Sequence, residues 1–117
     1  MSHPSKLQLL QSAKDAGFKN YLYFISTESA DINVDRVIAR VTKGGHPVNE
    51  QKIRERYIRS MDLLSEMLPY CHRCFIFDNS LEAYRLIAEV VDGTEIHITS
   101  DDIPQWVEVY LFNKLGV

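Results

Sequence analysis

The spacing of apolar residues switches between two periods along the chain, and the switches mark its elements. Leu7, Leu10 and Ala13 fall on one helical face, which Leu9 and Ala16 widen. Ser2 or Ser5 can cap this helix, Pro4 is tolerated in its first turn, and Gly17 stops it. Tyr21 to Thr27 then reads YLYFIST, apolar on both faces, as expected of a strand buried inside a parallel sheet. Ser29 or Asp31 opens the next helix, with Ile32, Val34, Val37, Ile38 and Val41 on its apolar side and Gly44-Gly45 at its end. After the connection His46-Pro47-Val48, Asn49 caps a third helix running to about Leu68. Ile53, Tyr57, Met61, Leu64 and Leu68 form its stripe, and Pro69 terminates it.

Arg73 to Asn79, RCFIFDN, predicts a second fully buried strand. Tyr84–Val91 and Glu95–Ile98 flank Asp92-Gly93-Thr94, a hairpin signal. Asp101 or Asp102 can cap a last helix carrying Trp106, Val109, Tyr110 and Leu111. The order is helix, strand, two helices, strand, hairpin, helix, which predicts an α/β fold with a parallel sheet in a single domain, 1–117. Only two strands read as core strands, a poor core by themselves, so the sheet is expected to lack strands. Met1 leads straight into a helix pattern, which suggests a truncated or internally started chain.

Composition narrows the function classes. With 117 residues, 45% apolar and 25% charged, the chain suits one globular domain. A net charge of −3 gives nothing that favours a nucleic-acid backbone or an anionic membrane. No apolar run approaches the roughly 20 residues that span a bilayer. Cys71 and Cys74 stand at C-x-x-C spacing, but a zinc site needs four ligands and no second pair exists, so they read as structural thiols. Such thiols and the lack of a secretory pattern lead to an expected cytoplasmic location.

One stretch carries a resemblance. Arg36, Val37, Arg40, Val41, Gly44, Gly45, His46 and Val48 follow the form RV-x-x-RV-x-x-GGH-x-V. Ile53, Arg56, Tyr57, Arg59 and Ser60 follow I-x-x-RY-x-RS, and Asp78-Asn79-Ser80 ends the second strand. These spacings resemble the zeta-toxin family and related predicted ABC-type ATPases, over nearly the whole chain to about Val90. Asn49 stands where proline is common. The resemblance implies part of a P-loop-kinase fold, with a lid over about 31–68 and a hairpin plus helix over about 83–114. It implies ATP with Mg²⁺ as cofactor, γ-phosphoryl transfer to an amino-sugar nucleotide, and an antitoxin as a possible partner. The phosphate-cradling loop G-x-x-x-x-G-K-[ST] is absent, since Gly17, Gly44, Gly45, Gly93 and Gly116 begin no such loop. The chain alone is therefore expected to be inactive.

Arginine suits phosphoryl transfer because it is a permanent planar cation. The resemblance points to Arg40, Arg56 and Arg59 as transfer residues and to Arg36, Arg54, His46, Asp78 and Asn79 as nucleotide contacts. A solvated basic face paired with Asp35, Glu50, Glu55 and Asp62 is the plainer alternative for the arginines. No metal ligands are assigned. Two partners follow: a fragment carrying the phosphate loop, or a second copy that hides Tyr21, Tyr23, Phe24, Phe75 and Phe77. On the second view the chain is a non-catalytic, oligomerising module.

Overall fold

A computed structural model describes residues 5–116. Its elements are α1 (Ser5–Asp15), β1 (Tyr21–Ser26), α2 (Ala30–Thr42), α3 (Glu50–Met67), β2 (Arg73–Asp78), β3 (Arg85–Val91) and β4 (Glu95–Ile98). The last helix is α4 (Gln105–Val107), continued by a π-helical stretch (Glu108–Phe112) into α5 (Asn113–Leu115). The strands form one mixed sheet in the order β1-β2-β3-β4. β1 and β2 are parallel, from Tyr21 opposite Arg73 to Ser26 opposite Asp78. β2–β3 and β3–β4 are antiparallel.

The hairpin therefore belongs to the sheet, and four strands replace the two expected. Asp92 and Gly93 both have positive φ, +52° and +79°, as a primed hairpin turn requires. A Cβ on Gly93 would also stand 3.1 Å from the Leu68 carbonyl oxygen, so the turn nests against the end of α3. β1 is the other edge strand and, among the described residues, pairs only with β2.

The strands are not buried on both faces, contrary to their sequence. Along β1, Leu22 and Phe24 are buried while Tyr21, Tyr23 and Ile25 are exposed. Along β2, Cys74, Ile76 and Asp78 are buried while Phe75 and Phe77 are half-covered. One face carries the core. Leu22, Phe24, Ile76 and Val90 pack with Tyr57, Met61, Leu64 and Met67 of α3 and with Trp106, Val107 and Leu111 of the last helix. α1 lies against α3 and the turn after it, through Leu7 and Leu10. The other face is bare.

Three local expectations need correcting. Leu9 and Ala16 do not widen the buried side of α1; both are exposed. Ile38 of α2 and Val109 of the last helix are likewise open to solvent; α2 packs mainly on α3 and buries Val34 alone. The last helix starts at Gln105, not at Asp101 or Asp102. Pro104 disfavours helical geometry at Ile103, and Asp102 instead meets Arg85 and Ser100. The cap suggested at Ser2 and the first-turn place suggested for Pro4 lie outside the described residues. Ser29 precedes α2 without a side-chain capping bond, whereas Asn49 accepts from the backbone N–H groups of Gln51 and Lys52. Pro69 stands in a 3-10 turn, Leu68–Tyr70, that closes α3. Among the described residues no helix is long and apolar enough to cross a membrane.

Candidate functional site

The two parallel strands end side by side, and a cleft of about 390 Å³ opens at their carboxyl ends under α2 and α3. This is where open α/β sheets take ligands, because strand-end loops diverge there and expose backbone groups. Its floor is Ser26, Thr27 and Asn79; its walls are Asn33, Arg36, Val37 and Arg40 of α2 and Ile53, Arg56, Tyr57 and Ser60 of α3.

The floor is held by cross-links between the strand ends. The Asn79 N–H donates to Ser26 O at 2.8 Å, and the Glu28 N–H donates to Ser80 Oγ at 2.9 Å. Ser80 Oγ in turn donates to Asp78 Oδ1 at 2.9 Å. The Tyr57 hydroxyl donates to Thr27 O at 2.7 Å, tying α3 to the end of β1. Thr27 Oγ1 is within 2.9 Å of Asn33 Oδ1, which does the same for α2. Burial, helped by neighbouring negative groups, pushes the Tyr57 hydroxyl up to about 12, so it stays a neutral donor.

Asp78 is the anchor of this floor rather than a surface contact. It is 1% exposed and receives Trp106 Nε1 at 2.8 Å, Ser80 Oγ at 2.9 Å and Arg85 Nη2 at 3.4 Å. Burial alone would raise its carboxyl, but the bonds from Trp106, Ser80 and Arg85 outweigh it and hold the group below the ordinary carboxylate range. An ionised, saturated carboxylate of this kind has no lone pair aimed at a ligand. Trp106 packs in the core cluster and is also the donor that keeps Asp78 charged.

The arginines divide into two sets. Arg36, Arg40 and Arg56 line the cleft. Arg36 Nη2 donates to Leu81 O at 3.3 Å, and no ion pair to any of the three exists among the described residues. No aspartate or glutamate lines the cleft either, so three permanent cations face it without a counter-charge. Arg54 points elsewhere and is paired with Glu50 at 2.9 Å, as the plainer alternative expected, and with Asp31 at 2.8 Å, which that alternative did not name. Arg59 is exposed on α3 and lines no part of the cleft, and His46 is exposed in the turn after Gly44-Gly45 and does not reach it. That turn is tight: Gly44 has φ +97°, and the Gly45 N–H donates to Arg40 O at 2.8 Å. It thus fixes the end of α2 just below Arg40.

Sequence reasoning missed Thr27 and Asn33 as lining residues, since each is an ordinary polar residue with no spacing signal; Ser60, part of the I-x-x-RY-x-RS spacing, lines the cleft as well. Tyr57 belongs both to the core stripe and to the I-x-x-RY-x-RS spacing, and its hydroxyl reaches the cleft floor. The two cysteines lie at the opposite end of the sheet. Both are free and buried; burial raises the Cys71 thiol to about 11 and the Cys74 thiol further, so neither is a ready nucleophile.

No family model matches the chain, and no solved structure matches it. A protein of Haemophilus influenzae, described as an uncharacterized protein, is 37% identical over 57 residues, which are 49% of this chain. The match spans 41% of that relative's length.

Proposed function

We propose that the cleft binds the phosphates of a nucleotide and that the chain is the arginine-bearing lid and base-loop portion of a zeta-toxin-like, ATP-binding phosphotransferase. The observation that carries this reading is the trio Arg36, Arg40 and Arg56, uncompensated, at the carboxyl ends of two parallel strands. Three like charges repel, and an arrangement that gathers them without a carboxylate is stabilised when a polyanion enters. A guanidinium can bridge two phosphate oxygens, which suits a triphosphate better than a single carboxylate.

The residues fit the phosphates of ATP but not its metal. No carboxylate lines the cleft, and among the described residues no cluster of His, Cys, Asp or Glu could hold a cation. The described residues thus bring Mg²⁺ no carboxylate in the cleft, only hydroxyl and carboxamide oxygens. In this reading Arg40 and Arg56 hold phosphate oxygens, Arg36 steadies the Leu81 loop, and Asn79 offers a carboxamide donor and acceptor to the base. Asp78 positions Asn79 through Ser80. Arg54, Arg59 and His46 have no assigned contact. Phosphoryl transfer needs a phosphate-cradling loop, absent from these 117 residues, so the reading requires that loop from another segment or chain. Buried free thiols suit a reducing, cytoplasmic setting.

Calorimetric titration with ATP and with tripolyphosphate at low ionic strength tests this. Saturable binding that weakens about tenfold in Arg40→Ala is expected, the size of one charge-assisted bond. Absence of binding at millimolar ligand, or binding indifferent to both Arg40→Ala and Arg56→Ala, would overturn it. The pure chain is expected not to hydrolyse ATP.

A further inference from the structure

The two helices over the cleft carry more apolar surface than they bury. Along α2, Val34, Val37, Ile38 and Val41 make one side, yet only Val34 is buried and Ile38 is 58% exposed. Val48, in the turn between the helices, is 40% exposed. Between these side chains and Ile53 of α3 lies a hollow of about 250 Å³. Val37, Val48 and Ile53 also line the arginine cleft, so the two spaces meet along three aliphatic side chains.

Sequence spacing puts charge beside this hollow. Val37 and Val41 each follow an arginine by one position, so the arginine row and the valine row run side by side on α2. On α3, Ile53 and Arg56 are three apart and share a face. The hollow itself offers little to a polar group. Its two polar side chains are engaged: the Thr42 hydroxyl donates to Ile38 O at 3.0 Å, and Glu50 pairs with Arg54 at 2.9 Å. A nucleobase placed here would find no free side-chain donor for its ring nitrogens, and burying them unpaired is costly. A hydrocarbon group asks for none. An apolar cavity of about 150 Å³ takes benzene, so this one holds a single ring or a short chain.

We propose that the hollow seats the hydrocarbon group of a phosphate monoester whose phosphate lies on Arg40 and Arg56. The inference rests on the phosphate-binding reading of the cleft and adds the chemical class of a second ligand. Asn79, given to the base of the nucleotide, lines no part of the hollow, so the ester is distinct from ATP and competes with it only for the arginines. Charge sets the orientation. The guanidinium groups stand on the cleft side, and the Glu50 carboxylate lines the hollow and repels an anion from it. The ester of a sugar or other polyol is disfavoured, because its hydroxyls would leave water for Val34, Val37 and Val41. A free phosphate leaves the hollow empty, and a neutral hydrocarbon leaves the arginines without an anion.

Calorimetric titration of the full chain with tripolyphosphate, methyl phosphate, butyl phosphate and butanol tests it. One buried methylene contributes roughly fourfold in affinity. Butyl phosphate is therefore expected to bind at least about tenfold more tightly than methyl phosphate, and to displace tripolyphosphate. Val41→Trp, which fills the hollow, is expected to abolish that gain while tripolyphosphate binding stays. Ile38→Asn, at an exposed position where circular dichroism should match the wild type, is expected to reduce the gain several-fold, and it keeps the test decisive if the tryptophan variant does not fold. Tripolyphosphate binding with methyl and butyl phosphate equal overturns this proposal alone. So does butanol binding as tightly as butyl phosphate, a butyl phosphate that does not displace tripolyphosphate, or a gain that survives both substitutions. If neither tripolyphosphate nor the esters bind, the phosphate reading of the cleft falls with it.

Discussion

Two aromatic residues one position apart in β1 divide the molecule between them. Phe24 is 1% exposed and meets Trp106 with ring centroids 6.0 Å apart. Tyr23 is 59% exposed and stacks only on Phe75 and Phe77 of the neighbouring strand. Their chemistry is nearly the same, and their strand is the same. What differs is the layer above them: α3 and the last helix on one side, solvent on the other. The comparison teaches that residue type sets strand formation here, while burial is set by which face the crossover helices take.

The first way to break the comparison is to remove each ring. Phe24→Ala leaves a cavity between the sheet, α3 and Trp106 that the close-packed cluster cannot fill. A loss of roughly 3–5 kcal/mol is expected. That is a large part of the roughly 5–15 kcal/mol that holds a domain of this kind together. Urea denaturation read by circular dichroism checks it. A loss below about 1 kcal/mol would mean the covered face is loosely packed.

The next largest effect belongs to the covered face's one carboxylate. Asp78→Asn keeps the shape but removes the charge that Trp106, Ser80 and Arg85 surround, leaving half-buried Arg85 only the exposed Asp102 as ion partner. About 2–4 kcal/mol should be lost near neutral pH, a little below the roughly 3–5 kcal/mol for a fully buried pair because Arg85 is 32% exposed. The sign of the pH dependence follows from the lowered pKa. A carboxyl held below its unfolded value contributes stability that is present above that value, 3.8, and is lost as pH falls through the folded one. Wild type should therefore lose stability on acidification below about pH 4, and Asp78→Asn should lose less over the same window. Parallel acid curves for the two proteins would remove Asp78 from this role.

Much of the covered side was legible in the sequence. The α3 stripe, Ile53, Tyr57, Met61, Leu64 and Leu68, is buried along its length, and Asn49 and Asp92-Gly93 act as their residue types dictate. The bare face was not legible, because tyrosine, phenylalanine and isoleucine satisfy a strand whether or not a helix lies above. Nor was the place of the hairpin, since a turn signal does not say which strand its first arm joins. The cleft was legible only through a resemblance, and even there Arg54 and Arg40 looked alike. What separates them is Asp31, which lies 23 positions before Arg54 and pairs with it across two helices. Asp78 reads as a strand-end polar residue until Trp106, 28 positions later, is seen to point at it.

The smallest effect is expected where the comparison began, at Tyr23. Its ring leaves water only in part, so Tyr23→Ala removes stacking with Phe75 and Phe77 but opens no cavity. Aromatic pairs of this kind contribute about 0.5–1.5 kcal/mol, and the low end applies where one ring stays wet. A loss of about 0.5 kcal/mol is expected at dilute, monomeric concentration, several-fold below that of Phe24→Ala. Concentration then sharpens the contrast. If two copies pack through this face, the wild type gains stability with concentration by mass action and Tyr23→Ala does not, so the gap between them widens. The Phe24→Ala gap has no such reason to grow, because that ring lies inside one copy. Thermal melts of the three proteins at about 2 and 200 µM measure both gaps. Equal widening for the two variants, or none for Tyr23→Ala, would show that the exposed aromatics of β1 stay in water.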